Sequence, residues 1–312
     1  MPKVSVIIPV YGVEKYIERC ARSLFEQTLD DIEYLFIDDC TPDKSVEILK
    51  RVLEEYPHRK SQVVIHRMEQ NSGQAKVREW GMRNARGEYV IHCDSDDWVE
   101  TDMYRLMYDE AKRTDADIVM CGYKATDGVR VFNECYHQQT NKAKLLSSLL
   151  ILHESWSVWN KMCKRSLYDS DIVYPTLAMG EDMVLTTQMV LNAQRIAVVN
   201  KALYNYFYNP NSITKVQSES SRYKHWKDSA ENAKIVFSIF KKKGLEHEYA
   251  NELVYLKFLQ KELAGDLARK KKYSKEWLEM FQEINWKTFS NPFIPNSRKL
   301  KYFVKLLLAQ LL

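Results

Sequence analysis

Long apolar runs are missing from this 312-residue chain, and none approaches the roughly 18 residues that cross a bilayer as a helix. Met1-Pro2-Lys3 leads into a short strand-like apolar stretch broken at Pro9, too short for a signal-peptide core and followed by no small-residue cleavage site. Secretion and integral insertion are therefore not expected, and the chain reads as cytoplasmic. The six cysteines, at 20, 40, 93, 121, 135 and 163, include no C-x-x-C pair and no His at metal-ligand spacing. Neither a disulfide framework nor a zinc site follows from them, and they read as reduced thiols. Internal repeats and low-complexity tracts are absent too.

Charge is present but small in sum. A formal net charge of +4 gives no reason to expect nucleic acid, yet its distribution is uneven. Residues 215–312 hold 20 Lys and Arg against 11 Asp and Glu, whereas residues 1–214 hold 26 against 31. An acidic front and a basic tail suggest separate tasks, so the expected division is a domain over 1–214 and a helical region over 215–312.

In the first hundred residues short apolar runs alternate with helical patterns, as parallel strands joined by crossover helices require. Strands are expected at Val4–Ile8, Tyr34–Ile37, 62–65 and Tyr89–Ile91, near-continuous in apolar residues because both faces would be covered. Helices are expected at 13–27, 43–56 and 74–86, then near 100–113 and 181–193, with further strands near 117–121 and 195–199. After residue 218 almost everything has an amphipathic, Lys-rich helical pattern. The fold class is α/β.

Open α/β sheets bind ligands beyond the carboxyl ends of their strands. Two acidic clusters sit at such ends: Asp38-Asp39 after the second strand, and Asp94-Ser95-Asp96-Asp97 after the fourth. Crowded carboxylates repel unless something positive compensates them, and a hard divalent cation with oxygen ligands, Mn2+ or Mg2+, suits that role. The plainer alternative is that these acids only shape turns and cap the helices that follow, with Asp43 or Thr101 as the cap. A third acidic pair, Glu181-Asp182 after Met179-Gly180, opens a helix, where the positive end of the macrodipole favours the charged carboxylate.

These stretches resemble the family-2 glycosyltransferases with the GT-A fold. V-S-V-I-I-P-V-Y (4–11), F-I-D-D-C-T-P-D (36–43), N-S-G-Q-A-K-V-R (71–78), G-E-Y-V-I-H-C-D-S-D-D-W (87–98) and G-E-D (180–182) match that family in order and approximate spacing across roughly residues 3–214. The resemblance implies a Rossmann-like α/β/α sandwich with a mainly parallel mixed sheet. It implies that the Pro9-Val10-Tyr11 turn and Asp39, beside Asp38, hold the nucleotide base. Asp94 and Ser95 would lie at the ribose, Asp96 would bind the cation bridging the donor's phosphates, and Arg78, at its family interval from Asn71, would pair with a phosphate or an aspartate. Val77, Glu79 and Trp80 depart from the small residues usual around that Arg. Asp182 becomes the base that activates the acceptor hydroxyl, and Glu181 its neighbour on the acceptor side.

The expected activity is inverting transfer of a sugar from a nucleotide-sugar, with UDP favoured, to a glycan or lipid-linked glycan acceptor in surface polysaccharide biosynthesis. A sugar nucleotidyltransferase would want a glycine-rich phosphate loop, and a dehydrogenase G-x-G-x-x-G, where Pro9-Val10-Tyr11-Gly12-Val13-Glu14 stands. A non-catalytic nucleotide-sugar binder is the alternative from another class. Trp159-Asn160-Lys161 and Tyr208–Thr214 resemble acceptor-side and donor-covering segments, although lone aromatics also serve as core. Over 297–312, Leu300, Phe303, Val304, Leu307, Leu308 and Leu311 form one apolar helical face beside Lys299, Lys301 and Lys305. That face would pack on preceding helices or a second subunit, or lie on an anionic membrane surface at the inner face.

Overall fold

The computed structural model describes residues 1–137, 139–169, 171–208 and 218–311. Two compact units emerge: Met1–Leu145 with Ser157–Thr176 and Gln188–Pro210, and Leu146–Trp156 with Leu177–Thr187 and Asn211–Leu312. The expected boundary at 214/215 lies outside the described residues.

The first unit begins β1 (Val4–Val10), α1 (Ile17–Phe25), β2 (Ile32–Asp38), α2 (Ser45–Glu54), β3 (Val63–Arg67), α3 (Gln74–Asn84), β4 (Tyr89–His92). It continues with β5 (Trp98–Val99), α4 (Met103–Thr114), β6 (Ile118–Thr126), β7 (Val131–Cys135), β8 (Lys161–Lys164) and β9 (Ile196–Phe207). Two further helices are α5 (Lys142–Leu150) and α6 (Glu181–Asn192). Among the described residues the strands form one mixed sheet ordered β3-β2-β1-β4-β8-β6-β9-β5, with β7 on β6. β1 pairs in parallel with β2 and β4, β2 with β3, and β6 with β9; the other ladders are antiparallel.

Both faces of the parallel half are covered, which is why its strands lack polar alternation. Val4, Val6 and Ile8 join Ile17, Leu24 and Met103 in the core under α1, α2 and α4. On the opposite face α3 lies so close that a Cβ on Gly81 would meet Ile7 Cγ2 at 2.5 Å and Ile37 Cδ1 at 3.2 Å.

Two strands differ from the sequence reading. β1 does not break at Pro9 but runs to Val10. β4 pairs with β1 only from Val4 to Ile7, so the missing N–H of Pro9 faces a side where that ladder has ended. β9 continues far beyond residue 199, because polar Asn200 and Lys201 form an irregularity opposite Gly122 rather than a strand end. A Cβ at Gly122 would collide with the Cys135 carbonyl and lie 3.1 Å from that of Lys201, so the irregularity needs glycine.

The second unit contains α7 (Glu219–Lys242), α8 (Ala250–Leu263), α9 (Lys271–Glu279), α10 (Lys287–Ser290) and α11 (Asn296–Gln310). Trp226, Phe240, Leu256, Phe258, Trp277 and Tyr302 fill its interior. Lys261, fully buried, donates to the carbonyls of Trp277 (2.8 Å) and Met280 (2.7 Å), closing the end of α9. α11 packs through Tyr302, Leu306 and Ala309, not through the expected Leu300 to Leu311 face, which is exposed.

Candidate active site

The parallel register places the ends of β1, β2 and β4 on one edge, since Val10 stands opposite Asp38 and Ile7 opposite His92. Loops leaving that edge carry most of the expected residues. After β1, Val10 is buried in the core and accepts the Asp39 N–H at its carbonyl (3.0 Å), so it offers backbone and not side chain to a ligand. Tyr11 is exposed. Gly12, at φ +67°, turns the chain, and the N–H groups of Gly12, Val13 and Glu14 donate to Thr41 Oγ1 (2.9 Å), Ser45 Oγ (3.1 Å) and Asp43 Oδ2 (2.9 Å). Burial alone would raise the Asp43 carboxyl, but bonds from Ser45, Thr41 and Glu14 outweigh it and hold the group below its ordinary value. Asp43 thus ties two loops together and also caps α2, its Oδ1 accepting the N–H of Ser45, the first residue of that helix, at 3.1 Å across Lys44. Thr101 is not a cap, since Asp102 precedes α4 and makes no side-chain cap bond.

The two acids after β2 differ in what they hold. Asp38 accepts the Thr41 N–H at 2.7 Å and faces Arg67 at 3.4 Å, stabilising its own turn. Asp39 reaches the next loop, its two oxygens accepting the N–H groups of Ser72 (2.7 Å) and Gly73 (2.8 Å). Asn71 is exposed just before that clamp. Gly73, at φ +81°, starts α3 and sets the register of Gln74 and Arg78.

Arg78 is buried, and its Nη2 lies 2.7 Å from Asp94 Oδ1, which also accepts from Gln74 Nε2 at 3.3 Å. The expected pairing of Arg78 with an aspartate is therefore present. Below the loop, Tyr204 on β9 accepts the Asp94 N–H (3.1 Å) and donates to Asp97 Oδ2 (2.6 Å), while the Phe207 N–H donates to Asp97 Oδ1 (2.7 Å). Burial first, then the charges of Asp96 and Asp94, push the Asp97 carboxyl well above its ordinary range. Arg19 on α1 lies against the Trp98 and Phe207 rings, 3.7 and 4.6 Å from their centroids, and donates to the Asp96 carbonyl at 2.9 Å. Ser95 is buried and Asp96 half-buried. Arg19, Asp97, Tyr204 and Gln74 were not in the expected set. Asp97 had a signal in the acidic run, whereas Arg19 and Tyr204 become site residues only when α1 and β9 reach the β4 edge.

Glu181 and Asp182 belong to the other unit, in the first turn of α6, with Glu181 buried and Asp182 half-buried. Gly180, at φ +83°, makes the turn; Asn232 Nδ2 on α7 fixes it by donating to the Leu177 and Met179 carbonyls, each at 2.9 Å. Trp159 is buried, stacked on Tyr204 at 4.2 Å and 14°, and Lys161 is buried with Nζ on the Ser157 carbonyl. Tyr208 is exposed; Asn209–Thr214 lie outside the described residues.

The family model for glycosyl transferase family 2 matches residues 5–176, a stretch containing the loops that follow β1, β2, β3 and β4. The chain belongs to that family. Uncharacterized glycosyltransferase EpsJ of Bacillus subtilis is 33% identical over 247 residues, 76% of this chain and 70% of its own length. Poly(ribitol-phosphate) β-N-acetylglucosaminyltransferase TarS of Staphylococcus aureus is 29% identical over 66% of this chain, and the match spans 35% of TarS. Crystalline TarS 1–349 in complex with UDP-GlcNAc superimposes with TM-score 0.70 at 21% identity, covering 95% of this chain and 82% of that one. Mannosyltransferase PcManGT from Pyrobaculum calidifontis, in complex with GDP-Man and Mn2+, gives TM-score 0.60 at 15% identity, covering 99% and 86%. The fold is GT-A with C-terminal helices, and this family-2 chain is a glycosyltransferase. Among its described residues no helix is long and apolar enough to cross a membrane.

Proposed function

We propose that this family-2 enzyme moves a sugar from a nucleotide-sugar, UDP-linked by preference, to a hydroxyl of a glycan or lipid-linked glycan, inverting the anomeric carbon, in surface polysaccharide synthesis. The carrying observation is the acidic loop: three aspartates within four residues, each with its main chain or carboxylate held by groups from α1, α3 or β9. Such an arrangement fixes carboxylates in place at a strand end, ready for a diphosphate and its counter-ion. The UDP-GlcNAc bound by TarS and the GDP-Man and Mn2+ bound by PcManGT support a nucleotide-sugar and a divalent cation.

The residues suit such an ion. Among the described residues no three His, Cys, Asp or Glu side chains form a closed metal cage. Asp94 accepts from both Arg78 and Gln74 through Oδ1, and Asp96 is half-buried, so protein oxygens would fill part of a shell and phosphate oxygens the rest. Asp96 is the proposed ligand of Mn2+ or Mg2+, and the bound ion supplies neutralisation of the leaving diphosphate. In the proposed roles, the turn at Pro9, Val10 and Tyr11 with Asp38 and Asp39 shapes the base pocket. Asp94 and Ser95 lie at the ribose, with Asn71 at the loop before them and Arg78 orienting Asp94.

Asp182 removes the acceptor hydroxyl proton as that oxygen bonds to the anomeric carbon and the bond to the diphosphate breaks on the opposite face. The positive end of α6, in whose first turn it lies, favours a carboxylate there, and Glu181 supports it on the acceptor side. In a UDP-release assay with a panel of UDP-sugars and acceptors, Asp182→Asn and Asp96→Ala both lose transfer, and donor binding survives better in Asp182→Asn. Near-normal turnover by Asp182→Asn would remove it as the base.

A further inference from the structure

α11 is amphipathic twice over. Tyr302, Leu306 and Ala309 form the stripe that packs into the second unit, each at most 5% exposed. Leu300, Phe303, Val304, Leu307, Leu308 and Leu311 share an arc of about 140° on the opposite side, at 3.6 residues per turn. All six are exposed, Leu300 at 66% and Leu311 at 83%. Trp286, 73% exposed, extends the patch through its contact with Phe289, whose ring lies 6.0 Å from that of Phe303. An ordinary soluble surface scatters such residues singly, and a contiguous patch of this kind marks an interaction site.

Lysines decide the kind of partner. On the same helical projection, Lys301 and Lys305 flank one margin of the arc and Lys299 the other. None of the three has a salt bridge among the described residues, although most basic residues of this unit's α7 and α8 surface are paired with acids. Burial holds the Lys305 ammonium below its ordinary value although the charges of Glu262 and Asp266 oppose it, so Lys299 and Lys301 are the lysines that carry the charge. A second copy meeting this face about a twofold axis would set one lysine-flanked face on another, and α11 holds no Asp or Glu to pair with those charges. An anionic lipid surface instead takes the apolar arc below its headgroups while the lysine stems reach up to the phosphates.

We infer that α11, with Trp286, docks the enzyme on anionic membranes by lying in the plane of the headgroups. This reading goes beyond catalysis and stands or falls separately from it. The test is co-sedimentation of the full chain with phosphatidylglycerol–phosphatidylcholine vesicles and with pure phosphatidylcholine vesicles. The chain is expected in the pellet with the first only, released by added salt. Leu300→Asp combined with Leu307→Asp, both at exposed positions, is expected to abolish binding with an unchanged melting curve. Lys299→Gln with Lys301→Gln is expected to weaken binding by about tenfold or more, since each basic side chain contributes at the anionic surface. Equal binding by parent and the double-aspartate variant would overturn the inference. So would a parent that stays in the supernatant with both vesicles, or a lipid-free dimer that the aspartates convert to monomer.

Discussion

Replacing Tyr204 with Phe isolates the support beneath the acidic loop. The ring stays, with its stack on Trp159 at 4.2 Å, so no cavity opens. The hydroxyl goes, and with it the 2.6 Å bond to Asp97 Oδ2 and the 3.1 Å bond from the Asp94 N–H. A hydrogen bond to a carboxylate contributes about 1.5–3 kcal/mol and a neutral one about 1 kcal/mol, so the expected loss is about 3 kcal/mol. For a folded body of this size each kcal/mol moves the midpoint by about 2–4 °C, which predicts a fall of about 6–12 °C by circular dichroism. Tyr206→Phe is the control: its ring also faces Trp159, at 5.9 Å, and its loss should fall under about 1 kcal/mol. Turnover should fall with a raised KM for the donor, because the Asp94 main chain and the Asp97 carboxylate each lose a bond that fixes the loop. A Tyr204→Phe midpoint within about 2 °C of the parent would refute the reasoning, because the hydroxyl would then hold neither aspartate.

Three other perturbations test separate parts. Asp39→Ala strips the acceptor from two N–H groups, of Ser72 and Gly73, and is expected to cost about 1–3 kcal/mol in urea unfolding while weakening UDP binding measured by calorimetry. His92 is fully buried, with its value pushed well below the ordinary one by burial and by Arg78. Its contribution is present above the unfolded value near about 6.5 and is lost as pH falls below it, by up to about 1.4 kcal/mol per pH unit; His92→Leu should flatten that acid limb of stability. Gly87→Ala would put a Cβ 2.5 Å from the Ser5 N and 2.8 Å from its Oγ, and is expected to lower the urea midpoint by the equivalent of about 1–3 kcal/mol.

Periodicity and motif order determined much of this protein. The apolar runs at Val4–Ile8, Tyr34–Ile37 and Tyr89–Ile91 are strands because both of their faces are covered, and that coverage is what erased polar alternation. The acid runs lie at strand ends because a β-to-α connection puts its polar turn there, a local rule that needs no distant partner. Spacing also brought Arg78 to an aspartate, since Gly73 sets the start of the helix that carries it.

Other features were settled by residues far away in the chain. Pro9 continues a strand only because β4 ends two residues earlier in register, and β9 outlasts Asn200-Lys201 only because Gly122 leaves room for the irregularity. Arg19 and Tyr204 reach Asp96 and Asp97 across 77 and 107 positions, a distance at which no local pattern carries information. The choice of Tyr302, Leu306 and Ala309 as the packing stripe of α11 was likewise tertiary. A helix with two apolar sides is ambiguous in sequence, and the hollow beside Phe258 and Trp277 that receives Tyr302 selects one and leaves the other to solvent.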